Sequence, residues 1–296
     1  MTGQKSTIAI TGVTGKLGGT VATGLQDLAP QLRLLVRDAG RAPRLEGDVA
    51  VMEYGDAEAS RKALTGVDVL FMVSAGENPD RVHQHQIFVE AAATAGVGHI
   101  VYTSFLAAAP DATFTLARDH WYTEQHIRES GMAWTFLRDS FYLDFFPGIV
   151  DEHGVMRGPA GNGRVGAVAR QDVARSAVAV LRDPSPHAER TYDMTGPEAL
   201  SLTDMAQIIG ETQGREVTYR EETVEEAYAS RAHYGAPALA GRRLGVHLHR
   251  DRLREAERGL RQCPGPDRAV SHEHGGSSRA GLTRLGPAPV KRSRGL

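Results

Sequence analysis

Apolar and polar positions follow two alternating patterns along the first half of the chain. Short apolar runs rich in Val, Ile and Leu have the length of buried strands, and the segments between them have helical composition and spacing. Strands that alternate with helices predict βαβ units, and therefore a parallel sheet with helices on both faces. The strand-like runs are TIAITG, LRLLVR, DVAVMEY, VDVLFMVS and HIVYTS, and the helical segments are LGGTVATGLQDLA, AEASRKALTG and RVHQHQIFVEAAATAG.

The pattern continues less regularly in the second half. Residues 139–170 are rich in glycine and aromatic residues and indicate loops with short strands. Ser201 and Asp204 predict a helix N-cap and its capping box. We predict an α/β fold with a doubly wound parallel sheet, whose core begins in residues 1–137 and is completed, with a small α/β cap, by residues 138–237. The later elements are helix TLARDHWYTEQHIRESG, strand MAWTFLR, helix DVARSAVAVLRD, strand RTYDMTG, helix SLTDMAQIIGETQG, strand EVTYRE and helix ETVEEAYASRAHYG.

A glycine-rich turn, TGVTGKLGG, joins the first strand to the first helix. In such a turn the first glycine permits a tight bend, the second lets the backbone approach a pyrophosphate, and the third lets helix and strand pack closely. The N–H groups at the helix N-terminus then favour phosphate. An ordinary strand–helix turn would not account for this spacing, so the turn predicts a Rossmann dinucleotide site. Its candidate residues are Thr11, Gly12, Thr14, Gly15, Lys16, Leu17 and Gly18.

The end of the second strand, LLVRDAGRA, bears on the choice between NADP(H) and NAD(H). NAD-binding chains of this fold place Asp or Glu there, whereas a guanidinium can clamp the 2′-phosphate of NADP. Arg37 occupies this strand end and Arg41 lies one turn further on. Asp38 follows directly and could bond a 2′-hydroxyl, so NAD(H) stays open as the less favoured cofactor. The alternative for Arg37 is a solvated charge.

Two further strand ends offer cofactor contacts. Asp56 follows the third strand and would place a carboxylate near the adenine, or cap the next helix, or do both. Ser74, Ala75 and Gly76 close the fourth strand, where small residues let the backbone lie near the cofactor.

Five segments carry a family resemblance: ITGVTGKLGGTVATGL, LLVRDAGRA, EYGDAEASRKALTGVDVLFMVS, AAATAGVGHIVYTSF and ESGMAWTFLRDSFY. Together they resemble the NmrA-like branch of the atypical short-chain dehydrogenases, and within it the bacterial NADPH:quinone oxidoreductase type. The resemblance covers residues 6–237. It implies a Rossmann core, a smaller cap, and a substrate pocket between them over the nicotinamide. Members of the branch include NADPH-dependent reductases of quinones and related compounds, and also NADP(H)-binding sensors or regulators.

The catalytic residues of ordinary short-chain dehydrogenases are only partly matched. Those enzymes use a Ser with a Tyr-x-x-x-Lys pair, in which the Tyr donates a proton. Ser104 matches the Ser position, but registering the helix on Glu124 places Leu116 and His120 where Tyr and Lys would stand. His120 is therefore a candidate proton donor or ribose contact, with a surface or capping histidine as the alternative. Tyr142 is a candidate pocket residue beside the nicotinamide, with core packing as the alternative.

The missing dyad argues against alcohol or ketone interconversion, and against a nucleotide-sugar epimerase, more than against quinone reduction. A quinone can accept hydride with little acid help because the charge delocalises into the developing hydroquinone anion. The leading prediction is therefore an NADPH-dependent reductase of a quinone or similar conjugated molecule. The competing prediction is a non-catalytic NADP(H)-binding redox sensor or regulator of the NmrA type.

Composition narrows the set of partners. Of the 296 residues, 41% are hydrophobic and 24% charged, and the net charge of −2 argues against a general nucleic-acid binder. The single cysteine, Cys263, excludes an internal disulfide and argues against a cysteine-based metal site, and the histidines show no ligand pattern. No signal-peptide pattern and no apolar run of membrane-spanning length is found. We therefore expect a cytoplasmic protein with a small-molecule substrate, no metal and no membrane partner, and a homodimer stays open.

The last part of the chain has a different composition. From residue 235 onward there is no Phe, Tyr or Trp, and residues 239–296 hold 12 Arg and one Lys against five acidic residues. A segment of this kind is expected to be mostly disordered. One interpretation is a basic tail for nucleic acid or a membrane. We favour another, a shift of the reading frame near Ala238, because the family resemblance implies a helical ending there.

Overall fold

The computed structural model describes residues 6–231 of the chain. Seven strands in this part form one parallel sheet, which confirms the predicted fold class. Residues 239–296, to which the basic-tail and reading-frame interpretations apply, lie outside the described residues. The strands are β1 (Ile8–Ile10), β2 (Leu32–Val36), β3 (Asp48–Val51), β4 (Val69–Met72), β5 (His99–Phe105), β6 (Ala133–Asp139), β7 (Val155–Gly158), β8 (Arg164–Val165), β9 (Arg190–Met194), β10 (Leu200–Ser201) and β11 (Thr218–Glu221).

The order of strands in the central sheet places its ligand crevice. The order is β3-β2-β1-β4-β5-β6-β9. The strands β2 and β3 lie on one side of β1, and the chain then crosses back so that β4 pairs with the other side of β1. Ligands of open α/β sheets bind at such a switch point, outside the carboxyl ends of the strands. β1 and β4 are buried along their whole length, as expected for central parallel strands. The crevice therefore opens where β1 passes into the glycine turn.

Helices cover both faces of this sheet. They are α1 (Lys16–Gly24), α2 (Ala57–Leu64), α3 (Arg81–Thr94), α4 (Thr115–Glu129) and α5 (Arg170–Arg182), whereas α6 (Leu202–Gln213) and α7 (Val224–Arg231) pack in a smaller unit. Alternate residues of β5 point to opposite faces. Val101 joins the apolar cluster formed with α1 and α5, whereas Tyr102 joins the cluster formed with α2, α3 and α4.

Two elements differ from their predictions. The segment LGGTVATGLQDLA predicts one helix, but α1 ends at Gly24 and a 3-10 turn follows over Gln26–Gln31. Pro30 keeps the predicted helix from running on through this turn, because proline lacks a backbone donor and disfavours the α conformation at the residue before it, and Leu28 already has non-helical backbone angles. The run DVAVMEY predicts a buried strand, but β3 is the edge of the sheet, and Val49 and Val51 are 40% and 53% exposed.

A smaller unit packs around a third apolar cluster beside the sheet. β8 pairs with β10 and β7 with β11, and Met205 of α6 packs with Phe146 and Met156. The predicted capping box of α6 is confirmed: the Asp204 N–H donates to Ser201 Oγ at 3.1 Å, and the Ser201 N–H donates to an Asp204 carboxylate oxygen at 2.9 Å. The chain enters this cap after β6, returns to the core for α5 and β9, and then enters the cap again.

Candidate functional site

The glycine turn between β1 and α1 requires glycine at its first and third glycine positions. Gly12 has a φ of +64°, a conformation that favours glycine. A Cβ on Gly18 would lie 2.4 Å from the carbonyl oxygen of Gly12. The first glycine thus forms the bend, and the third lets α1 pack against the end of β1.

The second glycine stands at the open start of α1. Gly15 is the N-cap, no described side chain caps the helix, and its first turn contains no acidic residue. A Cβ on Gly15 would approach the Gly12 carbonyl oxygen at 3.2 Å. The N–H groups of this turn and their partial positive charge can therefore serve an anion, and the cradle fits a pyrophosphate. Thr14 and Lys16 are exposed beside it, whereas Leu17 is buried.

Thr11 ties the ends of two strands together beneath the turn. Its buried hydroxyl donates to the Phe71 carbonyl at 3.3 Å and accepts the Val73 N–H at 2.8 Å. It also lies 2.7 Å from the hydroxyl of Tyr54, which donates to the Val73 carbonyl at 2.5 Å. The contact of Thr11 with a cofactor stays a prediction. Tyr54 was not anticipated from the sequence, because its partners lie on other strands.

Arg37 and Arg41 stand exposed at the end of β2, on the same sheet edge as the glycine turn. Among residues 6–231 neither guanidinium has a hydrogen-bond or ion-pair partner. Asp38 differs, because its Oδ1 accepts the Gly40 N–H at 2.9 Å and caps the 3-10 turn Ala39–Arg41. Two guanidiniums without partners fit a 2′-phosphate better than a carboxylate engaged in its own turn fits a 2′-hydroxyl.

Asp56 adopts the helix-capping role that the sequence left open. Its Oδ1 accepts the Ala59 N–H at 2.9 Å at the start of α2. The residue remains exposed, so its contact with the adenine stays a prediction.

A buried polar network fixes the segment of residues 74–76 after β4. The Ser74 N–H donates to Thr103 Oγ1 at 2.9 Å, and the Ala75 N–H donates to His85 Nε2 at 3.0 Å. The Arg81 guanidinium donates to the Ala75 carbonyl at 2.9 Å. Both backbone groups of Ala75 are therefore held from α3, and this segment forms a fixed wall at the carboxyl edge of the sheet. Gly76 is exposed at its end.

His120 belongs to the same network and is only 6% exposed. Arg81 donates to its Nε2 at 3.0 Å, so Nδ1 carries the proton and donates to the Tyr102 hydroxyl at 2.9 Å. Burial, and then the charge of Arg81, hold the pKa of His120 well below its usual range. The ring is neutral and both of its nitrogens are bonded within the protein. These contacts favour a structural role over proton donation.

Ser104 faces a buried carboxylate on α4. Its hydroxyl donates to Glu124 Oε1 at 2.6 Å. Glu124 is fully buried and also receives two bonds from Arg138, at 2.8 and 2.7 Å, and one from Arg128 at 3.2 Å. Ser104 occupies the position that the resemblance predicts, but its contacts also favour a structural role.

Tyr142 stands just after β6 and bonds the last residue of that strand. Its hydroxyl donates to Asp139 Oδ2 at 2.5 Å. Asp139 is buried, which raises its pKa to about 7, and its Oδ1 has no hydrogen-bond partner among the described residues. Sequence reasoning selected Tyr142 but missed Asp139, although the two stand together in DSFY. The signal was an acidic residue at the carboxyl end of a strand, three residues before Tyr142.

The ion pair between Arg170 and Asp144 lies beside Tyr142, on the side of the crevice that holds the glycine turn. The guanidinium of Arg170 lies over the Tyr142 ring, 5.0 Å from its centroid, and 3.1 Å from Asp144. The Arg170 N–H also bonds Asp144 and is the main cause of its lowered pKa, to which the charge of Lys16 adds. Tyr142 therefore lies on the α1 face of the sheet, close to the start of α1.

Three half-buried phenylalanines form an aromatic cluster at the ends of β5 and β6. The Phe105 ring centroid lies 4.8 Å from that of Phe114 and 5.3 Å from that of Phe141, and the last two are 5.9 Å apart. Phe141 also packs on the apolar cluster of the cap. The aromatic cluster thus lies where core and cap meet, and the sequence pattern alone did not reveal it because the rings come from three separate segments.

The other polar clusters of residues 6–231 are hydrogen-bond networks rather than metal sites. In this part of the chain no three His, Cys, Asp or Glu side chains come together as metal ligands. No helix in the same residues combines the length and hydropathy needed to cross a membrane.

Comparison with known proteins places the chain among NAD(P)H-dependent proteins. The model of a family described as NAD(P)H-binding matches residues 12–184. The chain is 34% identical over 236 residues to the NAD(P)H azoreductase of Xenophilus azovorans, which covers 78% of this chain and 82% of the relative. It is also 34% identical over 239 residues to quinone oxidoreductase 2 of Escherichia coli (strain K12), with the same coverage of 78% and 82%.

Solved structures agree with these relatives. The crystal structure of the E. coli quinone oxidoreductase in complex with NADPH has a TM-score of 0.75 at 32% identity, and covers 86% of this chain and 90% of its own. The triphenylmethane reductase of Citrobacter sp. in complex with NADP(H) has a TM-score of 0.74 at 30% identity, and covers 83% and 90%. Fold and glycine turn thus define a Rossmann dinucleotide-binding protein. The chain belongs to the NAD(P)H-binding family and has NmrA-like oxidoreductase relatives, as its five segments predict.

Proposed function

We propose that this protein is an NADPH-dependent reductase that transfers a hydride to a quinone or a similar conjugated small molecule. The observation that carries the proposal is the meeting of two features at one sheet edge. These are the glycine cradle for a dinucleotide and the half-buried aromatic cluster, with Tyr142 between core and cap. The two relatives at 34% identity are an azoreductase and a quinone oxidoreductase, and azo compounds and quinones are both conjugated hydride acceptors.

The residues of the crevice divide the binding of NADPH among them. The first turn of α1 would hold the pyrophosphate, and Arg37 with Arg41 would hold the 2′-phosphate. Residues 74–76 would line the path of the cofactor toward the ends of β4 and β5. When bound, NADPH supplies the hydride. NADP(H) is favoured over NAD(H) because the guanidiniums at β2 would bond a phosphate that NAD lacks.

The chain's own side chains would bind and orient the acceptor. Phe105, Phe114 and Phe141 offer ring faces on which a planar acceptor can pack, and they reduce the access of water. Ser104 and His120 would act indirectly, because their hydrogen bonds hold α4 and the residue 74–76 segment in place. The lack of a Tyr-x-x-x-Lys pair favours an acceptor that needs little acid help.

Turnover with a panel of acceptors tests this function. We expect NADPH oxidation, followed by absorbance, with benzoquinone, a naphthoquinone or an azo dye, and slower turnover with NADH at equal concentration. A matched binding titration of NADPH by fluorescence is needed. Tight NADPH binding with no turnover across the whole panel would instead favour the redox sensor, the second candidate that the missing dyad keeps open.

A further inference from the structure

We propose that Tyr142 protonates the reduced acceptor and that Asp139 supplies the proton that Tyr142 passes on. The inference rests on the proposed function, because a proton is needed only if an acceptor is reduced. The acceptor gains a hydride and becomes an anion at oxygen. In the reactive arrangement the acid proton of Asp139 is on Oδ2, facing the Tyr142 oxygen, and the Tyr142 O–H is turned to the acceptor. The O–H bond of Tyr142 then breaks as its proton moves to the acceptor oxygen, and the Oδ2 proton of Asp139 moves to the Tyr142 oxygen. Asp139 is left as a carboxylate and regains a proton from solvent.

The first support is the fixed geometry of the pair. The distance of 2.5 Å between Tyr142 Oη and Asp139 Oδ2 is short enough for the proton to pass directly. The backbone of Asp139 is held from its neighbours, since its carbonyl accepts the Leu106 N–H at 2.9 Å and the next residue's N–H donates to the Met194 carbonyl at 3.0 Å. The backbone that carries the carboxyl group is therefore fixed at the end of β6.

The second support is the missing partner of Asp139. Its Oδ1 is buried and accepts no hydrogen bond from any described residue. An ionised carboxylate with an unbonded buried oxygen is costly, whereas the acid form carries no charge. The charged and titratable groups packed around the pair are Arg170, its partner Asp144, and Tyr192 of the same apolar cluster. Because Arg170 is paired with Asp144, its charge is not directed at Asp139.

The third support is the position of Tyr142 beside the crevice. Its ring packs on the apolar cluster that includes Val13 of the glycine turn and Val73 at the end of β4. The neighbouring Phe141 belongs to the aromatic cluster on which the acceptor would pack. Tyr142 thus lies between the cofactor cradle and the acceptor surface. Ser104 and His120 instead make their hydrogen bonds to protein groups on the α4 face of the sheet.

Two acceptors that differ in their need for a proton test the proposal. Benzoquinone must gain a proton, whereas a cationic triphenylmethane dye such as crystal violet becomes a neutral leuco form on gaining a hydride alone. We expect Tyr142→Phe and Asp139→Asn to lower kcat for benzoquinone by about tenfold or more near pH 6, and to leave kcat for the dye unchanged. The matched control is Tyr122→Phe, which alters a tyrosine that is 48% exposed on α4.

The pH profile separates proton supply from packing. For the unmodified chain, kcat for benzoquinone should fall as pH rises through about 7, where Asp139 loses its proton, and kcat for the dye should stay level. Asp139→Asn should flatten the benzoquinone profile at its lower value. Equal losses for both acceptors, or a benzoquinone profile that keeps its shape in Asp139→Asn, would overturn the proposal.

A direct titration keeps the test independent of turnover. Carbon-13 NMR of labelled aspartate carboxyl groups in the full chain should show one group that titrates near pH 7 and is lost in Asp139→Asn. If neither acceptor is reduced, the proposed function fails, and the NMR signal still decides whether Asp139 stores a proton. An Asp139 that is already ionised at pH 5 would overturn the proposal.

Discussion

Gly15 and Gly18 stand three residues apart in one turn, yet only Gly18 is required by the fold. We expect Gly15→Val to fold with an almost unchanged Tm and to lose NADPH binding, because its side chain would occupy the phosphate cradle. Gly18→Ala should lower the free energy of unfolding by about 1–3 kcal/mol, because its Cβ would press on the Gly12 carbonyl. Circular dichroism and calorimetric titration measure both. If Gly15→Val bound NADPH normally, the assignment of the pyrophosphate site to this turn would be wrong.

Arg37 provides the test of cofactor choice. Arg37→Ala should weaken NADPH binding by about 1.5–3 kcal/mol, since one charge-assisted contact with the 2′-phosphate is lost, and should leave NADH binding nearly unchanged. The matched control is Lys62→Ala, which removes an exposed positive charge from α2. Dissociation constants for both cofactors, measured at the same ionic strength, check the result. An equal loss for NADPH and NADH would show that Arg37 does not contact the 2′ position.

Asp139 also makes stability depend on pH. An unfolded aspartate has a pKa of about 3.9, so a folded-state pKa of about 7 means that the folded protein binds the proton more tightly. This contribution is fully present below the unfolded pKa and is lost as pH rises through the folded pKa. Relative to Asp139→Asn, the unmodified chain should lose about 2–3 kcal/mol of unfolding free energy between about pH 5 and pH 8. Urea denaturation of both chains checks this, and a difference that is constant with pH would contradict it.

Residue roles could be predicted only where their partners are near in sequence. The glycine turn and the Asp56 cap depend on neighbours within a few residues, and the sequence identifies them. The partner of His120 is Arg81, 39 residues away, so its neutral buried state could not be predicted. Ser104 and Glu124 are 20 residues apart and likewise meet only in the fold.

At the scale of elements, α3 holds the end of β4. The Ala75 N–H bonds His85, which lies one turn into α3 from Arg81. We expect His85→Ala to speed amide exchange at Ala75 and to weaken NADPH binding by about 1–2 kcal/mol, because the backbone donor loses its acceptor. His83→Ala is the control, since His83 lies exposed on the same helix. Unchanged exchange at Ala75 in His85→Ala would show that the segment is held by other contacts.

The kinds of elements were predictable, whereas their neighbours were not. RTYDMTG was expected to be a strand, but its place beside β6 depends on pairs such as Thr135 with Arg190, which the pattern cannot reveal. The run DVAVMEY resembles a central strand because its four apolar residues, VAVM, follow one another without a polar residue between them. Its edge position leaves Val49 and Val51 exposed, and that position follows from strand order rather than from composition.

At the scale of the whole molecule, function depends on the contact between core and cap. The core supplies the cofactor cradle, and the cap supplies the apolar cluster on which Phe141 packs. An acceptor bound there would touch both units, so the apolar surface around the aromatic cluster should depend on how completely the cap is built. The composition of the chain after the cap therefore bears on how well the acceptor is bound.

We predict that residues 239–296 are read out of frame. The segment has no aromatic residue, holds 12 Arg, and contains the single cysteine of the chain. One set of synonymous codons for LAGRRLGVHLHRDR, read one base forward, encodes WQVDAWVSTYTAIA, which restores aromatic residues in an amphipathic pattern. The gene should therefore contain, one base forward after codon 238, an open frame that encodes an amphipathic, aromatic-containing helix. Early stop codons in that frame would contradict the prediction, and salt-dependent DNA binding by a basic tail would then be the property to measure.

A pair of expressed chains extends this prediction to function. One chain keeps the present sequence, and the other carries the restored frame after residue 238. We expect the restored chain to have the higher Tm and the lower KM for benzoquinone, because added apolar residues would cover exposed apolar surface of the cap and complete the acceptor pocket. NADPH affinity should be equal in the two chains, since the glycine turn, Arg37 and residues 74–76 belong to the core in both. A restored chain with the same Tm and the same KM would show that the restored segment adds nothing to the cap.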